Sequence, residues 1–507
     1  MKHWILTFLT TLSTMMFFVI ACSSQEPPVP DNKIDKIDFG PIWVDPAFNN
    51  QFTGEYIVVW FKDQFLSSPD AYSVRQSEFS SRLEMREQVK AELKQLSNKS
   101  FETAKHVIDS LINNDLIEGF KMHWIINGFS CRLKEGGIEG LVKVPGVDKI
   151  FKKTHIDAGK SGELGASYIE QSFEKIDPIG QPVTWNLKKL RIPEIWEDFN
   201  LTGDGILNVV HDFGMYIDVP TLSNNLYRNP GEIPGNNIDD DENGFVDDYH
   251  GYNFDDSSAL INNPQINFPG HIHATVVAGI ICGRYASDTL VGIAPNASLA
   301  TVRGLLNLES EIEWAIDQGA DTYTMSFSFP NLGEFRTHWR KLMEQGSYCG
   351  IFFISGAGNF GDPSRSNYQP VPFQMRTPEN IPAVFGVAGL DSTNTRQAFS
   401  SQGPVIWDTN YYDEGQVDKP DFSTYNFALP FIDYRDGSLK RPTAGNSFSG
   451  PHLAGIIALA LSANPEITPW EMKKLLTETV KDVGNPGFDF QTGYGLVDPY
   501  ELIKRIK

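Results

Sequence analysis

Short, largely apolar runs separated by stretches of helical character constrain the fold of this 507-residue chain most tightly. Ile206–Val210, Leu299–Arg303, Thr322–Phe327, Ile351–Ile354 and Val384–Ala388 are too short to be buried helices. Ile206–Val210 and Ile351–Ile354 in particular read as buried core strands. Strands of that kind, alternating with helices, fold as a doubly wound, mostly parallel α/β sheet. No internal repeat is apparent.

Four segments of this region carry chemistry. Ile206–Val210 runs into His211-Asp212-Phe213-Gly214, placing Asp212 at a carboxyl end, where α/β sheets hold their sites. Gly270-His271-Ile272-His273 sets histidines at the start of the apolar stretch Ala274–Ile281. Ile351–Ile354 leads into Ser355-Gly356-Ala357-Gly358-Asn359, where small residues leave space and Asn359 offers a side-chain N–H. Gly445-Asn446-Ser447-Phe448-Ser449-Gly450-Pro451-His452 delivers Ser447 to the apolar helix Leu453–Leu461. Pro451 falls in that helix's first turn, where a missing N–H is harmless. Singly, these residues read as a turn aspartate, a helix cap, a loop asparagine and an N-cap serine. Jointly they supply what a serine nucleophile needs: a base, an acid to orient it, and an amide donor for the developing oxyanion.

The four segments resemble the ordered motifs of the subtilisin-like serine proteases, the subtilases, over about residues 185–507. Gly292–Ala297, Asp317–Ser326, Phe399–Pro404 and Gly493–Val497 resemble flanking pieces of the same family. The resemblance implies a subtilisin-like fold and a serine endopeptidase. Asp212, His273 and Ser447 would form the triad. Asn359 and the Ser447 backbone N–H would bind the oxyanion, while Ser326, Phe327, Ser328, Gly356, Ala357 and Gly358 would line the substrate cleft. The Val277-Ala278-Gly279 anchor selects His273 as the base and leaves His271 at the rim. Ala274, Val276, Ser328, Asn446 and Phe448 depart from the family pattern, and Asn446 offers a further amide to the oxyanion. A non-catalytic binding lipoprotein on the same scaffold is the rival reading. The family needs no catalytic cofactor.

Upstream, residues 1–21 read as a lipoprotein signal peptide, because Val19-Ile20-Ala21-Cys22 resembles a lipobox. Cys22 would then carry lipid and anchor the protein in a bacterial cell envelope, at the outer membrane or surface. Residues 22–50 read as a Pro/Asp/Asn-rich tether and 51–155 as a small α+β domain. That domain has a strand at Tyr56–Phe61, helices at Ser77–Leu96 and Phe101–Ile112, and a strand at Val147–Phe151. Asn127-Gly128-Phe129-Ser130 and Pro145-Gly146-Val147 resemble the inhibitory propeptide of subtilases, which implies a zymogen inhibited by its own amino-terminal domain. Residues 156–184 would hold the maturation site. A cut there separates lipid from protease, so the mature enzyme is either released or retained through a non-covalent complex. Access to the site favours release.

Asp239, Asp241, Asn243 and Asp247 surround Gly244 as in the opening of a calcium loop. Either a structural calcium or a solvated acidic loop fits. A formal charge of −22 argues against nucleic-acid partners. Of the four cysteines, Cys282 and Cys349 adjoin apolar segments and read as buried free thiols.

Overall fold

The computed structural model describes residues 37–153, 175–261, 269–305, 307–433 and 437–507, without the side chains of 269–272 and 441–442. The signal peptide, Cys22, most of the maturation region and the His271 side chain lie outside the described residues.

The amino-terminal domain comprises β1 (Trp43–Val44), β2 (Tyr56–Phe61), helix α1 (Arg82–Asn113), β3 (Ile117–His123), β4 (Gly128–Leu133) and β5 (Val147–Lys152). Its sheet runs in the order β1-β5-β2-β4-β3. Strand periodicity explains the unbroken apolar run of β2, since successive side chains point to opposite faces. Ile57, Val59 and Phe61 join Phe129, Leu133 and Ile150 in the domain's own core. Val58 and Trp60 instead join a cluster with Trp314, Leu342 and Tyr348 of the larger domain.

Two expectations change here. The tether does not extend to residue 50, because Trp43 and Val44 pair with β5 and Phe48 is buried in the domain core. The two expected helices are one, since the buried stripe Met85, Val89, Leu93, Ser97, Ala104, Ile108 and Leu111 continues through the polar stretch. The polar residues there cost only a few tenths of a kcal/mol each, about what one buried methylene offsets.

The larger domain is built on β6 (Leu207–Asp212), β7 (Gly251–Asn253), α2 (Pro269–Cys282), β8 (Ser298–Arg303), α3 (Leu308–Asp317), β9 (Thr322–Met325), α4 (Phe335–Tyr348), β10 (Phe352–Gly356), β11 (Val384–Leu390), β12 (Phe422–Tyr425) and α5 (Ser449–Ala463). Its seven strands lie in the order β12-β11-β10-β9-β6-β8-β7. Every pairing among them is parallel. Val210, Leu299, Ile354 and Val387 face α2 and α5. Val209, Ala300, Tyr323 and Phe353 face α3 and α4. Burial on both faces accounts for the continuous apolar runs. The chain enters at β6, builds β7 and β8 on one side, then crosses to β9 on the other. That reversal opens a crevice at the carboxyl ends of β6 and β9. Residues 175–184 are also part of this domain: Ile176 N–H donates to Asn296 Oδ1 at 3.0 Å.

The two domains share buried charge as well as apolar surface. Arg82 reaches Asp321 Oδ1 at 2.7 Å and the carbonyls of Pro465 and Gly350 at 2.7 and 3.1 Å. Arg86, one turn on, donates to the carbonyls of Cys349 and Gly319 at 3.0 and 3.1 Å. Lys153 pairs with Glu309 at 2.9 Å, and Glu309 accepts from His338 Nε2 at 2.8 Å. His338 Nδ1 in turn accepts from Trp60 Nε1 at 3.0 Å, so the imidazole is neutral. None of these contacts involves Asp212, His273 or Ser447. Cys131, Cys282 and Cys349 are free and buried, and burial pushes each thiol up to about 12.

Removing one partner of a buried ion pair leaves the other charge uncompensated. Arg82→Leu is expected to destabilise the two-domain unit by about 3–5 kcal/mol in denaturant unfolding, and Arg82→Leu/Asp321→Asn by less. Additive losses in the double variant would contradict the coupling.

Candidate active site

Parallel pairing brings the carboxyl ends of β6, β9 and β10 side by side, so the residues that follow them converge. Asp212 ends β6 and is buried. Its Oδ1 accepts the Phe213 N–H at 2.8 Å, and its Oδ2 accepts His273 Nδ1–H at 2.7 Å. That bond fixes the tautomer, leaving the Nε2 lone pair free to take a proton. Burial by itself pushes the His273 imidazolium down; the Asp212 charge and hydrogen bond outweigh it and raise the group above 6.5.

The other histidines nearby are structural. His211 pairs with Gly304 O and, through Nδ1, with Tyr323 OH at 3.0 Å. His452 donates to Phe448 O at 2.7 Å and meets Asn186 Nδ2 at 2.9 Å. Burial pushes both down to about 4, so both are neutral.

Ser447 sits in a single 3₁₀ turn, Asn446–Phe448, leading into α5. Ser326, just beyond β9, clasps this turn: its Oγ donates to Ser447 O at 2.9 Å, and Ser447 Oγ donates to Ser326 O at 3.3 Å. The Phe448 ring lies 5.8 Å from the His273 imidazole, which places the turn beside that ring. The serine hydroxyl thus points at Ser326 in this structure. Catalytic hydrogen bonds commonly tighten only once substrate is bound.

Asn359 Oδ1 accepts the Asn446 N–H at 2.8 Å. Among the described residues its Nδ2 has no hydrogen-bond partner, so the amide is held by its oxygen and its donor end remains available. Asn446 behaves differently from expectation. It is fully buried, and its Nδ2 donates to Gly358 O at 2.6 Å and Ser400 Oγ at 2.9 Å. Its Oδ1 accepts from Asn426 Nδ2. With both donors engaged, Asn446 anchors the turn and offers nothing to an oxyanion.

Gly356 has a steric reason: a Cβ there would stand 1.9 Å from Asn446 O. Ala357 is buried in the core, so its side chain does not line a cleft. Phe327 and Ser328 are partly exposed beside the site.

In the acidic loop, only part of the expected ligand set converges. Asp247 instead caps a turn, accepting the backbone N–H groups of Gly235, Asn236 and Asn237 at 2.7, 3.2 and 2.9 Å. Asn243 turns its amide nitrogen toward Asp241 Oδ2 and Asp248 Oδ2, at 3.1 and 2.9 Å. Asp239 and Asp241 are joined by Glu232, their oxygens all within 4.8 Å of one another. Burial, with Asp248 nearby, pushes Glu232 up to about 7, and its Oε2 is buried without a hydrogen-bond partner. An all-oxygen set with an orphaned carboxylate atom fits a hard cation such as calcium.

The profile described as the Subtilase family matches residues 144–495. A probable subtilase-type serine protease of Deinococcus radiodurans is 26% identical over 371 residues, covering 68% of this chain and 46% of that protein. Subtilisin DY of Bacillus licheniformis is 28% identical over 249 residues, covering 48% of this chain and 81% of its own. Subtilisin E of Bacillus subtilis is 30% identical over 237 residues, covering 45% of this chain and 55% of its own. The chain therefore spans about half of the Deinococcus protein.

Proposed function

The chain belongs to the subtilase family, and we propose that it is a serine endopeptidase. The observation that carries this reading is the 2.7 Å hydrogen bond from His273 Nδ1 to Asp212 Oδ2 beside the Ser447 turn. Ser447 Oγ attacks the scissile carbonyl, and His273 Nε2 takes its proton and later returns it to the leaving amine. Asp212 holds the tautomer and stabilises the imidazolium. Asn359 Nδ2 and the Ser447 N–H receive the oxyanion. No cofactor takes part in these steps.

The amino-terminal domain acts as the propeptide of a zymogen, and lipid on Cys22 anchors the precursor to a bacterial envelope. An activating cut between residues 153 and 171 would part anchor and protease. The buried clasp of Arg82, Arg86 and Lys153 favours a propeptide that stays bound after the cut, keeping the protease at the membrane rather than releasing it.

Glu232, Asp239 and Asp241 would hold a structural calcium, which would fix a loop remote from the chemistry. A ligand that binds the folded state alone stabilises it. A chelator is therefore expected to lower the thermal midpoint of the wild type and to leave Glu232→Gln unmoved. Equal melting with and without chelator would refute calcium.

Ser447→Ala is expected to lose peptide-bond hydrolysis by roughly 10⁶-fold in turnover, the scale of that loss in subtilisin. Asn359→Leu should lower turnover by about 10²–10³-fold with little change in KM, since the donor acts on the transition state. Undiminished hydrolysis in purified Ser447→Ala would reject the mechanism, and inactivity of the wild type toward every peptide would favour the binding-lipoprotein reading.

A further inference from the structure

Glu379 is fully buried, yet it lies where the two segments flanking the candidate cleft meet. Its Oε1 accepts Ser328 Oγ–H at 2.7 Å and the Arg376 N–H at 2.9 Å. From the opposite side, a Cβ on Gly358 would stand 3.1 Å from the same oxygen. The carboxylate thus rests against the backbone one residue before Asn359. Oε2 is buried and has no hydrogen-bond partner among the described residues.

The neighbouring cations do not supply one. Arg376 lays its guanidinium 3.7 Å from the Phe360 ring centroid and, among the described residues, forms no salt bridge with Glu379. Lys419 is committed to Asp421 at 2.6 Å and to Val384 O. Burial accordingly pushes the Glu379 acid up to about 7. An unpaired buried carboxylate oxygen is destabilising, and such an atom persists where a ligand provides the missing donor. Position identifies the ligand. The carbonyl whose oxyanion Asn359 would bind belongs to the residue on the acyl side of the scissile bond. That residue's side chain leaves the backbone next to the same carbonyl, and Ser328 and Gly358, which bracket the segments there, both bear on Glu379 Oε1.

We infer that Glu379 is a specificity-determining residue that selects lysine or arginine on the acyl side of the scissile bond. Ser328 and the Arg376 N–H hold Oε1, which leaves Oε2 to receive an ammonium or guanidinium group. The match is charge-assisted, and an apolar side chain would leave the carboxylate unpaired. The inference rests on the endopeptidase reading above, so its test must fail separately from that reading.

Fluorogenic peptides that differ only in the residue before the scissile bond (Lys, Arg, Gln, Leu, Phe or Glu) give the first measurement. Wild type is expected to prefer Lys and Arg over Leu by at least about tenfold in kcat/KM. In Glu379→Gln the Lys-to-Leu ratio should fall by roughly a hundredfold. Benzamidine, an aryl amidinium cation, gives the second, by calorimetric titration of Ser447→Ala. It should bind this variant and compete with lysyl peptides in the wild type. A wild type that cleaves after Leu or Phe as well as after Lys, or a folded Glu379→Gln with an unchanged ratio, overturns the assignment. If Glu379→Gln does not fold, the wild-type panel and benzamidine decide. If no peptide is hydrolysed at all, the endopeptidase reading fails on its own; benzamidine binding then still supports a cation pocket, and its absence overturns that too.

Discussion

The close seating of the Asn446–Phe448 turn against the end of β10 is the contact on which the site depends. A side chain at residue 356 would collide with Asn446 O, so glycine is required there. Asn446 then fastens the turn to Gly358, Ser400 and Asn426 with its side chain and to Asn359 with its backbone N–H. The same contacts that position Ser447 therefore orient the Asn359 amide. Four acceptors and donors are satisfied within a buried space, where an unmet one would cost most. The Asn446 side chain is thereby a structural anchor of the turn, with both of its amide donors engaged.

The clasp between domains is a second constraint of the same kind. Its charges are buried and paired across the boundary, so neither domain could expose its half without leaving Asp321, Glu309 or the arginines to rehydrate. A sheet whose β2 side chains alternate between two cores makes the amino-terminal domain a wall of the larger domain. The contacts fall on α3, α4 and the segments that follow α3, α4 and α5, and none of them involves Asp212, His273 or Ser447.

Much of this was legible in the sequence because the signals are local. Short, largely apolar runs marked β6, β8, β10 and β11, and the four ordered motifs named Asp212, His273, Asn359 and Ser447 as candidates. What was not legible depends on partners distant along the chain. The engagement of Asn446 requires Asn426, Ser400 and Gly358 to be brought together by the fold. Glu379 stands in Thr377-Pro378-Glu379-Asn380, which reads as an ordinary polar turn. Spacing proposed Asp247 as a metal ligand, but its carboxylate is used by backbone N–H groups, and Glu232 lies outside the motif. The Pro/Asp/Asn-rich composition of residues 26–50 concealed Trp43, Val44 and Phe48, which bring part of that segment into the core.

The proposed chemistry turns on one step, the activation of Ser447 by His273 held against Asp212. The most direct measurement is the rate at which a fluorophosphonate labels the protein as a function of pH, with the adduct mapped by mass spectrometry. Because only the neutral imidazole accepts a proton and the Asp212 contact raises its pKa, the rate should rise with pH through a single ionisation above 6.5 and fall away below it. The adduct should lie on Ser447 and disappear in His273→Ala. A pH-independent rate, an adduct on another serine, or undiminished labelling of His273→Ala would contradict the account.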